Sequence, residues 1–177
     1  MSDTLITVIA ILLAAILMFV FPLMSVAERT DDMSSLSVQT ATTEFVDNSR
    51  AIGKITMTNY QKLVSTLQAT GNTYDIEIEV KVLDENVGKK SAWTSGTVIG
   101  ENIYYSVYTA QIMDVLTDDN GTGTYNMSEG DILSVSVKNT NKTMAQTIRG
   151  AFYSISGNDT YQISAQHSGI VSATGSN

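Results

Sequence analysis

The stretch TLITVIAILLAAILMFVFPLMSVA, residues 4–27, carries no charged side chain. Coiled as an α-helix at about 1.5 Å per residue, it reaches roughly 36 Å, more than the ~30 Å hydrocarbon core of a bilayer. Three readings compete for such a segment: a retained transmembrane helix, a signal peptide cut after the small residues Ser25-Val26-Ala27, or a buried helix of a soluble fold. Signal peptides open on lysine or arginine and have a shorter apolar region, whereas only Met-Ser-Asp-Thr precedes the run here. Soluble cores seldom hold 18 or more apolar residues in succession. These features favour retention. Leu5, Ile9, Leu12, Leu13, Ile16, Phe19, Val20 and Leu23 are then the side chains facing lipid or a neighbouring helix.

Charge says little about orientation. Arg29 follows the apolar run beside Glu28, Asp31 and Asp32, and the positive-inside rule has nothing to count before it. The acidic flank is compatible with export. Apolar residues continue beyond it, three or four apart, at Met33, Leu36, Val38, Ala41, Phe45, Val46 and Ile52, with Ser, Thr and Gln between. The pattern predicts one helix from about residue 3 to about residue 50. Its front half is apolar all round, and its back half is amphipathic, so that it leaves lipid and packs on a domain. Pro22 removes a hydrogen bond within it and is expected to kink it. The chain therefore divides into a membrane-spanning helix (1–27), an amphipathic continuation and linker (28–56) and an extracytoplasmic domain (57–177).

A second helix follows. Thr58 and Gln61 have the spacing of a capping box, Tyr60, Leu63, Val64 and Leu67 supply an apolar face, and Gly71 stops it. Then the period changes to two. In YDIEIEVKV, residues 74–82, apolar and charged residues alternate throughout, which describes a strand with one face on a core and one in water. Residues 84–100 read as a long loop or hairpin, with Trp93 as a lid over the core. A strand is expected over 102–108, a short helix over 109–116 and a strand over 132–137. After a turn at 139–142, Thr143 caps a helix that stacks Met144, Ile148 and Phe152. Residues 161–173 alternate again as the last strand or strand pair. No internal repeat is found. Helices and antiparallel strands in this order make an α+β fold, a long N-terminal hydrophobic helix packed on an antiparallel-sheet domain.

Composition narrows the function classes. The 177 residues include no cysteine, which removes disulfides, a thiol nucleophile and thiolate metal sites. With 10 basic against 18 acidic residues the formal charge is −8, and no basic stripe exists to neutralise phosphates, so nucleic acid is not an expected partner. The single histidine, His167, sits in a predicted strand with no motif around it, and no nucleophile elbow, P-loop or dinucleotide fingerprint occurs. Glu77 and Glu79 alternate with apolar neighbours, as the solvated face of a strand does. Nothing here reads as an enzyme, and no catalytic residue is assigned.

Residues 118–129 approach a twelve-residue calcium loop: Asp118 at position one, Asn120 at three, Gly123 at six and Glu129 at twelve. Thr122 stands at position five, where Asp or Asn is usual, and a strand follows rather than a helix. The stretch is also what a Gly/Asn turn before a strand looks like. Apart from this possible calcium site, no cofactor is expected. Sequons occur at Asn120, Asn126, Asn141 and Asn158. They imply glycans only where a transferase is present.

The apolar helix running into an amphipathic half, ahead of an α+β domain ending in strands, resembles type IV pilins and minor pilin-like proteins. More narrowly, TGNTYDIEIE (70–79), GDILSVSVKNT (130–140) and TMAQTI (143–148) resemble TadE-like proteins of tight-adherence pilus loci. Prepilins of the wider family carry a charged leader ending in Gly and a glutamate fifth in the mature helix. Here residue 5 is Leu, and the only nearby acid is Asp3. The resemblance implies a structural subunit, self-assembling through its apolar helix into a cell-surface filament alongside other pilus components. Asp3 would then take the glutamate's part by pairing with a neighbour's N-terminal amine. A permanently membrane-anchored binding or accessory domain is the alternative.

Overall fold

A computed structural model describes residues 2–84, 104–118, 122–153 and 162–176. Helix α1 runs unbroken over Ser2–Ile52, through Pro22. Behind the apolar run it turns Ala27, Asp31, Ser34, Val38, Ala41, Thr42, Phe45, Val46 and Ser49 inward, in steps of three and four that keep one stripe on one face. This stripe differs from the expected one. Met33 and Leu36, which apolar periodicity places on the packed face, are 74% and 65% exposed. Asp31, Ser34 and Thr42 take the inward positions instead. The hydroxyls of Ser34 and Thr42 donate one turn back to the Thr30 and Val38 carbonyls at 2.9 and 2.7 Å, so they are buried without an unpaired donor.

The remaining elements are β1 (Lys54–Thr56), α2 (Met57–Gln68), β2 (Tyr74–Leu83), β3 (Tyr104–Tyr108), α3 (Thr109–Thr117), β4 (Thr124–Asn126), β5 (Ile132–Asn139), α4 (Met144–Tyr153) and β6 (Ser164–Ile170). Strands β3, β2, β5 and β6 lie in that order in one antiparallel sheet, and β1 pairs with β4 in a separate two-stranded ribbon. The fold is α+β. Alternation fixes which way each strand faces: Ile78 and Val80 of β2, Leu133, Val135 and Val137 of β5 and Ala165 of β6 point into the core. There they join Val38, Phe45 and Val46 of α1, Leu63 and Leu67 of α2, and Ile112 and Leu116 of α3.

Several local expectations shift. Helix α2 is capped by Thr56, not Thr58; the Thr56 hydroxyl accepts from Asn59 N at 3.2 Å. Two threonines stand two apart, and because Thr56 ends β1 in extended conformation, it has the backbone an N-cap needs. Thr56→Ala is expected to cost about 1 kcal/mol in urea denaturation of the full chain in detergent, with Thr58→Ala near neutral. Helix α4 has the reciprocal box that Thr143 promises: Gln146 N donates to Thr143 Oγ1 at 3.2 Å, and Thr143 N to Gln146 Oε1 at 3.1 Å. Its buried face, however, is Ala145 and Gln146, while Met144 is exposed. The last alternating stretch is the single strand β6. Trp93, with most of the expected 84–100 loop, lies outside the described residues.

Candidate functional site

The front half of α1 is the most unusual surface of the molecule. It is long and apolar enough to cross a membrane, and none of its membrane-length window is buried against the rest of the chain. Leu5, Ile9, Leu12, Leu13, Ile16, Phe19 and Leu23 are exposed, and Val20 is intermediate. Such a surface is stable only against lipid or against other apolar helices. Asp3 sits in its first turn.

Where α1 emerges from this segment, polar contacts fasten it to α4. Thr143 Oγ1 donates to Asp31 Oδ2 at 2.6 Å, with both residues buried. Beside it the Arg149 guanidinium donates from both Nη2 and Nε to Glu28 Oε1, at 2.7 and 3.2 Å. This junction leaves no local mark in the sequence, since Asp31 and Glu28 stand in an acidic flank with nothing to announce a partner more than a hundred residues away. Further along, α1 crosses β6. Asp47 Oδ1 accepts from Arg50 Nε at 2.8 Å and lies 3.3 Å from His167 Nε2. The bond from Arg50, and then that from His167, holds the Asp47 carboxyl below the usual carboxylate range. On β4, burial raises the Tyr125 phenol above its ordinary value, reinforced by Tyr105 and Asp131.

The outer face of the sheet is polar. Register puts Glu77, Ser136 and Gln166 in one row and Glu79, Ser134 and Ser168 in the next. A groove on this face, walled by the first turn of α3, adds Tyr108 and Lys138. Glu79 accepts from Ser106 Oγ at 2.7 Å, and Lys138 Nζ lies 3.8 Å from Glu77 Oε2. These groups suit hydrogen bonding and stacking with a polar ligand.

The calcium-loop residues are spread along the chain's path. Asp118 is the C-cap of α3, Thr122 is exposed, and strand β4 occupies the middle of the motif. Glu129 is exposed in the turn before β5, where its N–H donates to Thr174 Oγ1 at 3.2 Å. Asn120 lies outside the described residues, and among those described no three acidic or histidine side chains gather as a metal site. Of the sequons, Asn126 pairs with Lys54 across the β1–β4 ribbon. Asn141 accepts from Thr73 N at 2.8 Å and donates its amide to Asn72 Oδ1 at 3.0 Å, so the nitrogen that would carry a glycan is engaged. Asn120 and Asn158 fall outside the described residues.

The chain matches no protein-family model, no curated protein and no solved structure.

Proposed function

We propose that this protein is a structural, pilin-like subunit of an extracellular filament, of the TadE-like kind, assembling through its N-terminal helix. The observation that carries the reading is α1 itself. One continuous helix presents an exposed apolar front half, while its back half is fastened to an α+β domain by Asp31, Glu28 and the core stripe. Lipid and a bundle of like helices hide the front half from water about equally well. Transfer from bilayer to filament core is then close to balanced, and small contacts decide it. The domain would clothe the filament, with the outer sheet face turned to solvent.

The groove bearing Glu77, Glu79, Tyr108 and Gln166 supports a second reading: a domain held permanently at the membrane to bind a polar ligand or serve a pilus machine. Shearing separates the two. The filament reading expects surface fibres in electron micrographs, with residues 5–23 present by mass spectrometry in sheared material. Recovery in membranes alone, without fibres, defeats it and leaves the anchored domain. A mature chain starting near Glu28 in the medium defeats both.

A further inference from the structure

Met33 and Leu36 stand in water on the face of α1 turned away from the sheet, past the end of the apolar run. They belong to a row, Arg29, Met33, Leu36 and Thr40, spaced four, three, four, and all four are exposed. That spacing keeps them in one line along a helix. The same spacing recurs in the front half at Asp3, Thr7, Ala10 and Ala14, again all exposed. The two rows complement each other position by position. An acid faces a base, and small residues face the two large ones, Thr7 opposite Met33 and Ala10 opposite Leu36. Thr7 and Thr40 donate their hydroxyls to their own helix, to the Asp3 and Leu36 carbonyls at 2.7 and 2.9 Å, which leaves their methyl groups for contact. Among the described residues no ion pair engages Arg29. Of the neighbouring acids, Glu28 and Asp31 are committed to Arg149 and Thr143, and Asp32, exposed one turn on, forms no ion pair with Arg29.

We infer that the Arg29–Met33–Leu36–Thr40 row is the docking seam for a second copy of this chain, which lays its Asp3–Thr7–Ala10–Ala14 row along it. The two helices run parallel with a stagger of 26 positions, about 39 Å at the α-helical rise. Two copies side by side in one bilayer have no such stagger, so the seam fills only when one copy has moved outward relative to the next. That asymmetry gives a filament its direction of growth. The inference rests on the filament reading, and it assigns Asp3 a side chain, Arg29, in place of a neighbour's amine.

Charge exchange and cross-linking test it in the full chain. Asp3→Lys and Arg29→Glu are each expected to cut polymer in the sheared fraction at least tenfold with membrane levels unchanged. The double exchange should restore it to within about twofold. Because the chain has no cysteine, Ala10→Cys combined with Leu36→Cys should give an oxidative ladder in polymer. Leu17→Cys with Leu36→Cys, a heptad out of register, should give none. Polymer from the parent chain combined with no rescue by the double exchange, or a ladder only from the out-of-register pair, overturns this register and leaves the filament reading standing. If the parent chain forms no polymer, both fall.

Discussion

Gly53→Ala is expected to lower the stability of the full chain in detergent by about 3 kcal/mol or more, among the larger single-residue effects. Gly53 ends α1 at φ 69°, in the left-handed region that side chains disfavour. Space is the heavier objection. A Cβ there would stand 2.0 Å from the Ala173 carbonyl oxygen and 2.5 Å from Gly175 N. Both are backbone atoms, so no side chain can swing aside. Relief requires residues 173–175 to lift, and this segment holds Gly175 N on Met127 O at 2.9 Å, next to the bond from Met127 N to Gly53 O at 2.8 Å. Urea denaturation followed by circular dichroism reads the loss. Gly150→Ala is the control: it lies in α4 with nothing within 4 Å of the new methyl. Helix propensity should make it neutral or stabilising by up to ~1 kcal/mol. Equal behaviour of the two variants would refute the packing of residues 173–175 against Gly53.

Asp131→Ala should cost about 2–5 kcal/mol by the same measurement. Asp131 is buried, and its two carboxylate oxygens accept from separate backbone donors, Leu83 N at 2.9 Å and Ser128 N at 2.7 Å. Alanine removes the acceptor from both N–H groups in a part-buried setting, at roughly 1–3 kcal/mol each where water does not take its place. Asp131→Asn keeps one acceptor and presents an NH₂ group to the other donor, so it should fall between alanine and the parent. If asparagine were as damaging as alanine, the charge rather than the pair of accepted bonds would be what matters. A cost below about 1 kcal/mol for alanine would show that the bonds from Leu83 and Ser128 are replaced by water.

What the sequence disclosed follows from how local each signal is. Residues 4–27 can be read because an unbroken apolar run is itself a local signal, and 74–82 because a single core face imprints a period of two on neighbouring residues. The helix over 109–116 and the cap at Thr143 are local for the same reason. Strand β1 is different. Its three residues are a strand only because Thr124–Asn126 lie against them, about 70 positions later, and nothing in Lys54-Ile55-Thr56 announces that. The inward stripe of α1 misleads in another way. Apolar periodicity does not mark it, because serine and threonine return their hydroxyls to the helix and aspartate finds Thr143, so polar residues occupy the packed face. The apolar residues displaced from it, Met33 and Leu36, are the ones left for the proposed seam. No motif surrounds His167 in the sequence, because its place under α1 beside Asp47 exists only once the sheet is assembled.

The arrangement of β6 bears on how the chain closes as it is made. Ala165 within it, with Ile163 and Val171 just beyond its two ends, completes a core begun on α1, across separations such as the 120 residues between Asp47 and His167. Contacts so distant in sequence form late, because closing a long loop costs entropy before any pairing rewards it. Until β6 arrives, the rear of α1 keeps part of its core stripe uncovered and β5 is an unpaired edge of the sheet. A nascent chain emerging N-terminus first therefore stays open until synthesis has passed residue 171. That delay makes the interval before closure the time when the uncovered core stripe is most open to a holding chaperone.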